Sequence, residues 1–483
     1  MPDLRPVGYV IGLLVAALGL TMLAPLVADL SAGNGQWPVF LESAFLTILS
    51  GGLIALSCSN GVSQGLSIRQ TFLLTTLVWS VLPLFGAIPF MIGATQLDLT
   101  NAMFEAMSGL TTTGATVVNG LDGLPEGIKL WRGILQWLGG IGIIVVAMVF
   151  LPELKVGGMQ IFRSEGFDTF GKILPRATEI SSRISVIYVS LTMACAVAYA
   201  AAGMSSFDAM THAMTTVATG GMANYDASFG AFGAGAHYVA TLFMFLAALP
   251  FVRYVQLISG SAQPLWRDSQ IRVFFITLSV LVAVMTLWVW RTQTDVPLEQ
   301  GFREALFNVT SIISGTGFSS MDYTIWGPFA VTMFFFIGLI GGCAGSTACS
   351  IKVFRYQLLF ASIKVQIRRI HSPHGLFTPR YEGRAVGDDI LSSVMAFFVA
   401  FIVSLGVFAI ALSMTGLDFV TSISGAAAAL ANIGPGLGDE IGPAGNFWGL
   451  SATAKWVLTV AMLVGRLEIM AVLTILTWQF WRQ

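Results

Sequence analysis

Ten long apolar runs divide the chain, at about residues 8–29, 38–58, 70–93, 131–151, 184–203, 237–259, 272–291, 327–365, 389–414 and 447–481. An α-helix needs about 20 apolar residues to cross a bilayer, so each run predicts a membrane span. The runs 327–365 and 447–481 are longer than a membrane is thick and must tilt, break or protrude. Between spans lie four stretches too apolar for water-exposed loops and too short to cross, at about 98–119, 205–225, 298–320 and 415–438. Each begins with an acidic or polar cap region (Asp98, Asp208, Glu299, Asp418) and continues with helix-compatible residues such as Phe104-Glu105-Ala106-Met107. Each ends in small residues around a glycine: Thr112-Thr113-Gly114-Ala115, Thr219-Gly220-Gly221-Met222, Gly315-Thr316-Gly317-Phe318 and Asn432-Ile433-Gly434-Pro435.

The central glycines Gly114, Gly221, Gly317 and Gly434 stand 107, 96 and 117 residues apart. A four-fold repeat of helix, re-entrant loop and helix is how one chain builds a pore with four-fold pseudo-symmetry. Non-helical backbone at membrane depth is tolerated only where it is buried in protein or lines a watery path. Short helices aimed at a common axis would place the negative ends of their dipoles beside a dehydrated cation. Carbonyls of the following loop would then replace its hydration shell, with glycine supplying backbone angles that side chains forbid. The hydroxyls of Thr112, Thr113, Thr219 and Thr316 either ligate or buttress the loop. The expected architecture is all-α and integral to the membrane, with four pseudo-symmetric helix–pore loop–helix repeats around one ion pore and two N-terminal transmembrane helices. Its divisions fall at 1–69 (N-terminal helices), 70–151 (first repeat), 152–259 (cytoplasmic loop and second repeat), 260–366 (third) and 367–483 (cytoplasmic segment and fourth). These features predict an ion channel or channel-like transporter selective for potassium.

Composition removes the soluble alternative. Hydrophobic residues make up 55% of the 483, charged residues 10%, and mean hydropathy is +0.79, whereas a soluble domain carries about a quarter charged residues. A net charge of −1 favours neither nucleic acid nor an acidic ligand. The first span is too long for a cleaved signal peptide. Cys58, Cys195, Cys343 and Cys349 fall in or beside spans without a disulfide or metal-ligand pattern, and no span carries a cluster fit for an enzyme. Basic residues concentrate in three loops: Lys155, Arg163, Lys172, Arg176 and Arg183; then Arg267 and Arg272; then Lys352 to Arg384. The positive-inside rule makes these cytoplasmic, with both termini. All four glycine loops then open on the opposite, acid-rich face, where a negative vestibule would concentrate cations.

At these residues the chain resembles the Trk/Ktr/HKT superfamily of potassium transporters, of the bacterial TrkH type. The likeness covers the whole length, including the extra helices at about 8–58. It rests on Thr112 to Thr116, Ala218 to Ala223, Ser314 to Ser319, Asn432 to Gly438, the small-residue break after Gly338 and the segment around Arg466. The resemblance implies that Thr112, Thr113, Gly114, Thr219, Gly220, Gly221, Gly315, Thr316, Gly317, Asn432, Ile433 and Gly434 form a potassium filter. Sodium-preferring plant relatives carry serine at the first central position, so Gly114 points to potassium. No loop reads Thr-Val-Gly-Tyr-Gly, and Pro435 removes a backbone donor from the fourth. With only one carbonyl ring implied, selectivity is expected to be looser than in a tetrameric channel, admitting rubidium and some sodium.

The span beginning at Pro328 is interrupted by Gly338, Gly341, Gly342 and Gly345, each costing roughly 1 kcal/mol inside a helix. The resemblance implies a gate beneath the filter made of Gly341, Gly342, Cys343, Ala344, Gly345, Ser346 and Thr347, with Arg466 as a pore-lining barrier. An arginine inside a span is costly and functional by default. Glu468, two residues on, points away from Arg466 on a regular helix. Arg253 is expected to snorkel, His212 to be a satisfied structural histidine, and His371 and His374 to be solvated. No Walker A sequence occurs, and Gly434-Pro435-Gly436 lacks the strand–turn–helix setting of a nucleotide loop. The resemblance further implies a homodimer in a bacterial cytoplasmic membrane, docked on a cytosolic ring of nucleotide-binding TrkA-type subunits. The basic stretch Lys352 to Arg384 would also attract lipid headgroups. No cofactor is expected, and potassium is the substrate. A symporter coupled to protons or sodium is the alternative.

Overall fold

The computed structural model describes residues 3–61, 66–146, 157–159, 161 and 177–482. Lys155, Arg163, Lys172 and Arg176 lie outside them. Among the described residues, seven helices are long and apolar enough to span a bilayer, or nine spans if each of two bent pairs counts as one. Arg5–Ala32 and Trp37–Cys58 precede the repeats. Ile68–Ile92 and Glu126–Val145 flank the first short helix, Leu99–Leu110. Ala177–Ala201 and Ala234–Ala247 flank Ser206–Val217; Ser269–Thr292 and Pro328–Gly338 flank Leu298–Ser314; Asp388–Ser413 and Ala452–Arg466 flank Phe419–Ala431. Four helix–short helix–helix units behind an N-terminal pair match the expected architecture.

The second helices of three repeats are broken, as the lengths of the runs 327–365 and 447–481 allowed and the run 237–259 did not announce. The run 237–259 is Ala234–Ala247 followed by Phe251–Ile258, bent by 89°. Pro250 sits at the junction, and its missing N–H ends the helical ladder. The run 447–481 breaks into Ala452–Arg466 and Ile469–Leu476, bent by 107°. No proline marks this break. Glu468 takes a left-handed φ of 57°, and its carboxylate pairs with the guanidinium of Arg355. The run 327–365 is Pro328–Gly338, an irregular segment, and a helix, Val353–His371, that continues into the stretch expected to be a solvated loop. That stretch ends in a small antiparallel hairpin, Arg380–Tyr381 with Arg384–Ala385.

Hydrophobic cores within the repeats extend into their neighbours. Trp79, Phe104, Trp131 and Leu135 of the first repeat pack with Leu412, Leu430, Leu458 and Met462 of the fourth. Phe307 and Phe318 of the third repeat join the core of the second, and Ala431 and Ile433 of the fourth join that of the third. Each repeat therefore buries its apolar face on the next. The outward faces stay apolar, with Phe45, Phe275 and Ile402 exposed, as lipid-facing helices require.

Candidate functional site

Each short helix has a start its sequence dictates. Asp98 accepts a hydrogen bond from Asn101 N, Ser205 from Asp208 N, and Asp418 from Val420 N and Thr421 N, satisfying N–H groups that no helical carbonyl reaches. Hydrogen bonding by Thr421 and by the first helical N–H groups holds the Asp418 carboxyl below its ordinary range. Two of the expected caps differ. Ser205, not Asp208, caps the second helix, and the third begins at Pro297 with no side-chain cap, leaving Glu299 in its first turn.

The four helices end identically. Thr112, Thr219, Gly315 and Asn432 each adopt a left-handed φ, at 52°, 49°, 75° and 51°. Their N–H groups donate to Gly109 O, Thr216 O, Ile312 O and Ala429 O, and the next N–H donates five residues back, to Ser108, Thr215, Ser311 and Ala428. This double bond pattern is a Schellman cap. Two residues past each left-handed residue the backbone turns left-handed again, at Gly114 (86°), Gly221 (78°), Gly317 (83°) and Gly434 (104°).

Those second left-handed positions meet in a closed ring. A Cβ on Gly114 would strike the carbonyl oxygen of Gly220, one on Gly221 that of Thr316, one on Gly317 that of Ile433, and one on Gly434 that of Thr113. Each central glycine thus packs on the carbonyl preceding the central glycine of the next loop, and the fourth returns to the first. Every member of the ring needs both positive φ and the missing side chain. Above it an open vestibule of about 520 Å³ is lined by all four central glycines.

A second four-fold feature was not legible beforehand. A side chain on each short helix accepts a hydrogen bond from the backbone N–H three residues beyond the central glycine. Glu105 accepts from Val117 N (3.0 Å), His212 Nε2 from Asn224 N (3.3 Å), Asn308 from Ser320 N (3.2 Å) and Ser424 Oγ from Leu437 N (2.9 Å). Four chemically different residues perform one task, which is why no motif revealed it. His212 is the structural histidine expected. The first clamp is ionic: buried Arg132 bonds Glu105 at 2.8 Å and donates to Ala223 O of the second loop at 2.6 Å.

These bonds correct the picture of an acid-rich vestibule. Among the described lining residues only Arg132 and Asp226 are charged. Glu105 is consumed by Arg132, Glu304 by Ser320, and Asp208 by Asn224 and Tyr225. The four threonine hydroxyls are likewise occupied. Thr113 bonds Thr111 and Asn432, Thr219 bonds Ala218 O, Thr316 bonds Ser314, and Thr112 lies 3.6 Å from Cys349 Sγ. In these bonds the hydroxyls buttress the loops.

The irregular segment containing Gly341, Gly342, Cys343, Ala344, Gly345, Ser346 and Thr347 is largely buried, and Ala344, Gly345 and Ser346 line one cavity with Asn432 of the fourth loop and Arg466. Gly341 N donates to Ile351 O, Cys343 N to Ala248 O and Ala344 N to the side chain of Gln270. Gly345 O accepts from Phe251 N, Thr347 Oγ1 donates to Ala247 O, Ser346 Oγ to Cys343 O, and Ser350 N to Ala431 O. The helix bend at 247–251 in the second repeat supplies three of these partners. Cys349 touches the first and fourth repeats, through Thr112 and Arg466.

Arg466 is 4% exposed. Its Nη1 reaches Cys349 Sγ at 2.9 Å, its Nη2 donates to Gly139 O at 3.1 Å, and Trp79 lies 5.4 Å from its guanidinium carbon. Its Nε has no hydrogen-bond partner, and Glu468 pairs with Arg355 instead. A cavity below the ring is lined by Gly345, Ser346, Cys349, Lys352, Asn432, Arg466 and Glu468. Arg253 does not snorkel: it bonds the buried carboxylate of Asp268 at 2.7 Å. Arg355, expected among solvated basic residues, is fully buried against Phe397, because the bend at Glu468 brings its counter-charge into reach.

Residues 36–479 match the TrkH family, described as cation transport proteins. The chain is 46% identical over 416 residues to the Trk system potassium uptake protein TrkI of Halomonas elongata, covering 86% of this chain and 84% of that one. It is 38% identical over 486 residues to TrkH of the same organism, covering all of both chains. The crystal structure of the potassium transporter TrkH from Vibrio parahaemolyticus superposes over the full length of both chains with a TM-score of 0.91 at 35% identity. With the repeat architecture and the glycine ring already in place, these likenesses show that the chain belongs to the TrkH family of cation transport proteins.

Proposed function

We propose that this protein mediates potassium uptake through a central pathway whose selectivity filter is the ring at Gly114, Gly221, Gly317 and Gly434. The observation that carries the reading is the closed ring of glycine–carbonyl contacts opening on the vestibule. Carbonyls fixed at Thr113, Gly220, Thr316 and Ile433 replace the water shell of a dehydrated cation. The dipoles of four short helices ending at the ring favour positive charge there. The relatives are potassium uptake proteins, and that gives the ion its identity.

The segment from Gly341 to Thr347 gates the path from below, and Arg466 adds a positive barrier. Support comes from their burial and from Arg466 having no carboxylate partner among the described residues. The gate opens when the bonds to Ala247, Ala248 and Phe251 are exchanged for others. The protein works in a bacterial cytoplasmic membrane as a homodimer, with both termini inside and the Val353–His371 helix and its hairpin meeting a TrkA-type nucleotide-binding ring and lipid headgroups.

The deciding experiment is cation flux into liposomes holding the purified protein, comparing potassium, rubidium, sodium and lithium without a proton gradient. Potassium and rubidium flux that runs down its own gradient and exceeds sodium and lithium flux supports the reading. Flux that requires a proton or sodium gradient replaces it with symport.

A further inference from the structure

The ring is four-fold in backbone but not in chemistry. Gln136, on the second helix of the first repeat, is fully buried and reaches across to the second loop. Its Nε2 donates to Gly220 O at 2.6 Å and its Oε1 accepts from Met222 N at 3.0 Å. The amide thereby brackets Gly221, holding the carbonyl before it and the N–H after it. A Cβ on Gly220 would occupy the space of this amide. Four residues earlier on the same face, Arg132 donates to Ala223 O of the same loop. Among the described residues, the carbonyls of Thr113, Thr316 and Ile433 accept no side-chain hydrogen bond.

We propose that Gln136 is a specificity-determining positioning residue: by tethering the Gly220 carbonyl it stops one ring oxygen from moving inward to a smaller cation. This rests on the reading of the ring as a potassium filter. Discrimination against sodium depends on how far carbonyls can approach the ion and on their field strength. A carbonyl with an N–H donor on one lone pair offers a weaker field and a fixed position, and both effects penalise the smaller ion. The unequal ring thus has three freer oxygens and one tethered one.

The test uses full-length protein in liposomes, with potassium-to-sodium permeability measured for wild type, Gln136→Leu and Gln136→Met. Leucine frees the Gly220 carbonyl. Methionine keeps the side-chain length and much of its volume but has no N–H to donate, so it frees the same carbonyl with the least disturbance of packing. Both substitutions are expected to lower the permeability ratio at least about fivefold, the effect of one neutral hydrogen bond that distinguishes two bound ions. Ratios within twofold of wild type in either variant that elutes as a monodisperse species overturn the proposal and leave Gln136 a packing residue; the methionine variant decides if leucine misfolds. A wild type that itself fails to distinguish potassium from sodium instead overturns the filter reading.

Discussion

The outer and inner halves of this molecule obey different symmetries. In the outer half, four loops share the same caps, the same pair of left-handed residues, the same ring contact and the same clamp three residues beyond. In the inner half no two described second helices are alike. One bends by 89° at Pro250, one is interrupted by the buried segment at 339–352, and one bends by 107° at Glu468. Under the proposed function the difference has a reason: a spherical ion on the axis is best held by equivalent backbone ligands, whereas a gate needs one element that moves against fixed neighbours, which unequal breaks would provide.

The comparison is broken most severely at the ring. Gly317→Ala puts a methyl group against Ile433 O at a left-handed position, and flux is expected to fall to that of empty vesicles while the protein still purifies. Glu105→Ala strands the buried Arg132 charge and should lower stability by about 3–5 kcal/mol, measured as thermal unfolding in detergent. In the inner half, Arg466→Ala is expected to raise potassium flux roughly tenfold by removing a unit positive charge from beside the path. Unchanged or reduced flux with normal expression would show that Arg466 is no barrier. Gly114→Ser should weaken potassium-over-sodium discrimination several-fold, and unaltered permeability ratios would take Gly114 out of the filter. The smallest change is expected from Ser424→Ala, which removes a neutral clamp and costs about 1 kcal/mol. If it costs as much as Glu105→Ala, the four clamps are equivalent after all.

Much of the outer half was legible because its requirements are local. A left-handed turn at the end of a short apolar helix demands glycine or an adaptable polar residue, and Gly114, Gly221, Gly317 and Gly434 declare it at near-even spacing. The clamps were hidden because Glu105, His212, Asn308 and Ser424 share a hydrogen-bonding task without sharing a residue type. Gln136 looked like one polar residue in an apolar span, and nothing nearby in sequence said it would grip Gly220. The bend at Glu468 carries no proline to mark it, and nothing near Arg355 in sequence says that this bend brings it a counter-charge.

Length, hydropathy and the four glycine loops determined by themselves that the chain is an α-helical membrane protein with a four-fold pore, because spans and backbone angles are dictated by nearby residues. Only the tertiary structure decided which polar groups support that pore and which lie beneath it. Buried charges and amides take their meaning from partners far away in sequence, as Arg132 does from Glu105 and Ala223, Arg355 from Glu468, and Arg466 from Cys349 and Gly139. In a low-dielectric interior those distant partners decide whether a polar side chain is paired or left unsatisfied.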